Sequence, residues 1–149
     1  MKTVKLLIKR SPGTEDLELP AYQSAGAAGL DLCADVREEV LLAPGEIRLV
    51  PTGISLVIPE GFEGQVRPRS GLALKSGITL INTPGTIDSD YRGVVSLPVI
   101  NLGKGCFVIR RGMRLAQLVL QEVVRADIEC VEELKATARA EGGFGHTGV

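Results

Sequence analysis

At 149 residues and 15.8 kDa, the chain is long enough for one domain with a real core and too short for two. Leu, Ile and Val supply 44 residues, while Trp is absent and Phe plus Tyr number five, so the core must be aliphatic. The net charge of −1 excludes a globally basic nucleic-acid binder, and no apolar run approaches the roughly 18 residues that span a bilayer.

The first predicted element is a strand over Val4–Arg10, closed by Ser11, Pro12 and Gly13. MKTVKLLIKR returns to basic residues too soon for a signal peptide, and no membrane association is expected. Short apolar runs follow, punctuated by Pro44-Gly45, Pro51, Gly53, Pro59-Glu60-Gly61, Pro84-Gly85, Gly103 and Gly112. A break about every eight to twelve residues is the rhythm of an all-β sandwich, jelly roll or barrel. One short helix is predicted from Ser70, with Ser70 as N-cap and Gly77 closing it. Ile78–Asn82 and Thr86–Tyr91 read as a hairpin joined by a type II turn at Pro84-Gly85. From Thr137 the pattern dissolves into a Gly-rich arm expected to be mobile until something holds it. Cys33, Cys106 and Cys130 are odd in number and far apart, which points to core packing and a reduced, cytoplasmic setting.

The charge is segregated. Residues 1–63 carry 6 basic and 10 acidic side chains, residues 64–114 carry 8 and 2, and residues 115–149 carry 3 and 6. A cationic block confined within an acidic chain suits a small polyanion such as a nucleoside phosphate, although a solvated face has the same composition. Inside that block Arg67, Arg69 and Ser70 at a helix start can form an anion site, or equally a surface cap flanked by two solvated arginines. Asp88 and Asp90 could serve as a general base or simply favour a turn. The single histidine, His146, sits in the arm, which argues against a Ser-His-Asp triad held on a rigid core. GxxxxGK[ST] is absent, and aromatic residues do not interleave with basic ones, so stable nucleic-acid binding is not expected.

Five segments in order, AGLDLCAD (28–35), RPRSGLALKSGI (67–78), INTPGTIDSDYRG (81–93), RGMRLAQLVL (111–120) and RAEGGFGHTG (139–148), resemble the motifs of the trimeric dUTP diphosphatases. The resemblance implies an all-β distorted jelly roll, residues 1–136, with residues 137–149 as a closing arm. It also implies a homotrimer with shared active sites. The implied reaction is hydrolysis of dUTP to dUMP and pyrophosphate, which limits uracil incorporation into DNA and supplies dUMP for thymidylate synthesis. Matched motif by motif, Asp88 corresponds to the catalytic carboxylate that activates water for attack on the α-phosphorus. Asn82 corresponds to the uracil-binding amide, the backbone at Thr86 and Ile87 to the pyrimidine and sugar surface, and Tyr91 to the ring under the deoxyribose. Arg69, Ser70, Gly71 and Gln117 correspond to phosphate binders, Arg139 and Thr147 to groups on the terminal phosphate, and Phe144 to the ring over uracil. Mg²⁺ is the implied cofactor, held by substrate phosphates and water, with Asp31 nearby and not directly ligating. Ala140 and His146 depart from the Gly and Ser usual in the fifth motif.

Overall fold

A computed structural model of the chain describes residues 3–143. It contains ten strands and one short helix among those residues: β1 (Leu7–Arg10), β2 (Leu30–Cys33), β3 (Val40–Leu42), β4 (Ile47–Val57), β5 (Phe62–Pro68), α1 (Ser70–Ser76), β6 (Ile78–Leu80), β7 (Gly85–Ile87), β8 (Val94–Asn101), β9 (Phe107–Ile109) and β10 (Arg114–Glu122). Two four-stranded sheets, ordered β1-β4-β8-β6 and β2-β10-β5-β7, are joined by a β3-β9 ribbon. Every named strand pair is antiparallel, as in a jelly roll.

Alternation along the strands makes the core. Val95, Leu97 and Val99 of β8 point inward, as do Val50, Ile54 and Leu56 of β4, and they meet Leu32, Val66 and Leu118 from the second sheet. Each fully buried side chain of this kind contributes about 1.5–3 kcal/mol. Asn101 is a polar residue inside that core, and its side chain is satisfied on both sides. Its Nδ2 donates to the carbonyls of Leu42 and Gly105 (both 2.8 Å), and its Oδ1 accepts from Gly103 N (2.8 Å). No helix among the described residues is long and apolar enough to cross a membrane.

Several local expectations are corrected. The first strand begins at Leu7 instead of Val4, because only Leu7–Arg10 find partners along β4. Ser70 is the first helical residue, not the N-cap; Arg69 holds the cap position and no side chain caps the helix. The predicted C-terminus is correct: Gly77 adopts φ 68° and its N–H returns to Ala73 O. A side chain at Gly77 would also lie 2.6 Å from the Gly103 Cα.

The predicted hairpin does not form. β6 pairs with β8, whereas β7 pairs with β5, so the two strands part into different sheets. Ile78 and Leu80 bury their side chains from one sheet and Ile87 from the other. Gly85 does not take the positive φ that a type II turn would ask of it; it opens β7 opposite Val66. Only Cys33 is buried among the cysteines, and burial pushes its thiol pKa up, while Cys106 and Cys130 are exposed. The last strand ends at Glu122, and residues 123–136 leave the sheets with Val124, Ile128 and Leu134 exposed.

The loop before β2 is held by one guanidinium. Arg111 Nε and Nη2 grip the two Asp16 oxygens at 2.8 and 2.7 Å, Nη2 also donates to Gly13 O (2.8 Å), and Nη1 bonds Asp35. Arg111 lies in the turn that leads into β10, so this clasp ties three segments together. The hydrogen bond from Arg111 holds the Asp16 carboxyl below its ordinary 3.8. A depressed carboxylate pKa stabilises the fold above the unfolded value and loses that effect as pH falls through the folded one. Arg111→Met is therefore expected to lower the melting temperature by a few degrees at pH 7, with the deficit shrinking as the pH falls below about 4. Thermal melts from pH 7 to pH 2 read this out directly.

Candidate active site

The residues singled out from the sequence fall into two clusters. Around β7 and the loop after it, Asn82, Gly85, Thr86, Ile87, Asp88 and Tyr91 line a cleft of about 360 Å³, completed by Leu49, Val66, Val95, Ser96 and Pro98. At the other side of the same sheet Asp31, Arg69, Ser70, Gly71, Lys75 and Gln117 line a second cleft of about 520 Å³. The two share no lining residue. The strand order β2-β10-β5-β7 puts Asp31 and Thr86 on opposite edge strands, three spacings or about 14 Å apart.

The first cleft is poised without internal partners. Asp88 is exposed, and its carboxylate makes no hydrogen bond or ion pair among the described residues. Asn82 likewise keeps its amide free of hydrogen bonds among the described residues, lying over Gly85, where an added Cβ would come 3.1 Å from Nδ2. The Ile87 side chain is buried, so Ile87 offers the cleft mainly backbone, as β-strand alternation dictates, while the side chain of Thr86 is exposed. Tyr91 is half-exposed, and its hydroxyl donates to Val94 O at 3.2 Å. No Lys or Arg lines this cleft.

The second cleft is built by mutual stitching. Both Asp31 oxygens face guanidinium groups, Oδ1 at 3.3 Å from Arg69 Nε and Oδ2 at 3.0 Å from Arg114 Nη1. Arg69 Nη1 donates to Arg114 O (3.1 Å), and Gln117 Nε2 donates to Pro68 O (3.1 Å), so the exit of β5 is laced to β10. Register accounts for the grouping: Gln117 lies opposite Asp31 on one side and Arg67 on the other.

Arg67 itself is not part of the cluster. Its guanidinium is taken by Gln65 Oε1 (2.6 Å), and Gln65 in turn donates to Glu63, three residues of one strand face bonded in a row. Most of the cationic block is likewise engaged by internal partners, four of its residues in ion pairs: Arg69, Arg110, Arg111 and Arg114. Of its eight basic residues, only Lys75 and Lys104 make no hydrogen bond or ion pair among the described residues. Sequence reading missed Lys75 and Arg114 as members of the site. The i, i+4 spacing of Gly71 and Lys75 on α1 was the available signal for the first; for Arg114 only the three-dimensional approach of β10 to β2 reveals the Asp31 pairing.

The dUTPase family profile matches residues 15–148. A deoxyuridine 5'-triphosphate nucleotidohydrolase from Thermoanaerobacter sp. (strain X514) is 60% identical over 147 residues, 99% of either chain. The chain belongs to the dUTPase family. Among solved structures, a variant of the Staphylococcus bacteriophage 80alpha dUTPase with dUpNHpp superposes with a TM-score of 0.87 at 26% identity, covering 99% of this chain and 100% of that one. A dUTPase variant from phage phi11 of S. aureus, whose structure concerns a structural Mg(II) ion, superposes with a TM-score of 0.77 at 24% identity, covering 87% of this chain and 98% of that one.

Within the dUTPase frame, the fifth motif is only partly visible. Arg139 lines neither cleft; its Nε donates to Gly142 O (2.8 Å). Ala140, where the family usually has Gly, is the one non-glycine described residue with positive φ (44°), a conformation that costs an L side chain roughly 1–2 kcal/mol. Phe144, His146 and Thr147 lie outside the described residues. No three His, Cys, Asp or Glu side chains converge among the described residues, and Asp31 is already engaged by two arginines.

Proposed function

We propose that dUTP hydrolysis, the activity of its family, proceeds on this chain with Asp88 as the base and with each site assembled from more than one subunit of a homotrimer. One observation carries this reading. The cleft holding Asp88 and Tyr91 has no cation in its lining, and Arg69 and Lys75 line a separate cleft: the register sets Ile87 opposite Gly64, five residues or roughly 16 Å along β5 from Arg69. A triphosphate needs both at once. A neighbouring copy can bring its cationic cluster to this chain's Asp88 cleft.

The roles follow from what each group can do. Asp88 accepts a proton from a water held in line with the α-phosphorus, and the absence of an ion pair within the described chain leaves it free for that task. Arg69, the Ser70 hydroxyl, the Gly71 N–H, Gln117 and Lys75 surround the phosphates with donors. Bound Mg²⁺ would offset charge on the leaving pyrophosphate. Asp31 acts by fixing Arg69 and Arg114. Arg139, Phe144 and Thr147 belong to the arm, residues 137–149, which closes over bound nucleotide and excludes water.

Base choice rests on Asn82 and the backbone of β7. Cytosine exchanges an acceptor for a donor at one edge position, which leaves buried polar groups unpaired at roughly 1–3 kcal/mol each. Thymine adds a methyl where backbone packs closely, and added bulk is rejected by overlap. Tyr91 under the deoxyribose leaves no room for a 2′-hydroxyl. The dUMP formed is the substrate for thymidylate synthesis, and removal of dUTP limits uracil in DNA.

Pyrophosphate release measured across dUTP, dCTP, dTTP and UTP, with and without Mg²⁺, tests this reading. Release from dUTP should exceed the others by at least ~10²-fold and fall on chelation. Equal turnover of dCTP or UTP would contradict it.

A further inference from the structure

We propose that Gly93 is a positioning residue for Tyr91, and that the empty space above its Cα sets the sugar selectivity of the enzyme. The inference rests on the reading that Tyr91 packs under the deoxyribose. After the turn closed by Tyr91 N–H to Asp88 O (3.1 Å), the chain doubles back so that the Tyr91 ring lies over Gly93, two residues on. A Cβ built on Gly93 would stand 2.6 Å from Tyr91 Cζ and 3.0 Å from Cε2, and would overlap the phenolic oxygen. Those are distances at which something must move. The ring is tethered in this place by Oη donating to Val94 O at 3.2 Å, and Arg92 Nη1 braces the loop by donating to Ser89 O and Tyr91 O.

Gly93 is not required for its backbone. It is absent from the glycines at positive φ, so alanine can adopt the same main-chain conformation there. What alanine cannot do is share space with the ring. Tyr91 is 46% exposed, so the side chain can swing toward solvent without opening the core. The protein should therefore stay folded while the wall against a 2′-hydroxyl loses its fixed position. A selectivity filter that works by exclusion depends on the wall being held, since a ring free to rotate yields to an extra hydroxyl instead of rejecting it.

The test compares Gly93→Ala, Tyr91→Ala and Tyr91→Phe for kcat/KM on dUTP and UTP. Gly93→Ala should narrow the dUTP to UTP ratio by ~10-fold or more, toward the Tyr91→Ala value, at nearly unchanged melting temperature. Tyr91→Phe removes the Val94 bond but leaves the glycine floor, and should change the ratio less than about threefold. A second readout does not involve turnover. The chain has no Trp and two Tyr, so in a Tyr22→Phe background the ultraviolet fluorescence of Tyr91 is isolated, and acrylamide quenching should rise on adding Gly93→Ala. Unchanged quenching would overturn the proposal, because the ring would not have moved. Increased quenching with an unchanged ratio would also overturn it, provided Tyr91→Ala does narrow the ratio. If Tyr91→Ala leaves the ratio intact, the reading of Tyr91 as the sugar wall fails and the proposal falls with it.

Discussion

Asp88→Asn should lower kcat on dUTP by ~10²-fold or more while nucleotide affinity stays within about tenfold. The amide keeps the size and polarity of the carboxylate and loses its basicity, so substrate can still settle but water is no longer activated. The structural cost should be small. Asp88 is exposed and its carboxylate makes no hydrogen bond or ion pair among the described residues, so the substitution breaks nothing that holds the loop, which is closed by the backbone bond from Tyr91 N–H to Asp88 O. Single-turnover kinetics with dUTP separate the two effects, and binding of a non-hydrolysable dUTP analogue gives the affinity independently. Near-normal turnover would remove Asp88 from the role of base.

Deleting residues 139–149 should have the opposite signature from a core mutation. The final strand ends at Glu122, and residues 137–141 are exposed. The deleted sequence is Gly-rich, with Phe144 and Val149 as its only large apolar residues, so little core is at stake and the melting temperature should hardly change. Activity should nevertheless fall by ~10²-fold or more, since Arg139, Phe144 and Thr147 are lost from the phosphates and the base, and water is readmitted to the α-phosphorus. Calorimetry and a pyrophosphate assay on the same preparation check both halves. A truncated chain that melts normally and turns over normally would deny the arm its role.

How far the sequence carries can be judged from particular residues. The aliphatic core, the strand rhythm, the short helix and its Gly77 terminus were legible because each depends on local composition and turn chemistry. The parting of β6 from β7 was not, because Thr83-Pro84-Gly85 reads as a turn whether the flanking strands pair with each other or leave for separate sheets. Charge counting placed cations at residues 64–114 but could not see that Arg67, Arg110 and Arg111 are bonded to Gln65, Glu39 and Asp16. The same block reads as a phosphate site by composition, while only Arg69, Arg114 and Lys75 stand near Asp31 or the cleft beside it. Asp88, Asn82 and Tyr91 were placed by motif resemblance, and they do line one cleft. That Arg69, Ser70, Gly71 and Gln117 line a different one follows from strand order, which motif order along the chain does not reveal. Nor does spacing show that a tyrosine ring lies on a glycine two residues away.

The separation of the two clefts makes the shared site the central claim, and subunit exchange tests it most directly. Asp88→Asn chains lack the base, and chains ending at residue 138 lack the arm, so neither homotrimer should turn over dUTP at an appreciable rate. After the two are mixed and allowed to exchange, a site can draw Asp88 from one chain and Arg139 and Phe144 from another. Mixed trimers, verified by native mass spectrometry, should regain a fraction of wild-type pyrophosphate release that neither parent shows. Verified exchange with no return of activity would contradict an arm that closes over the Asp88 of a neighbouring subunit.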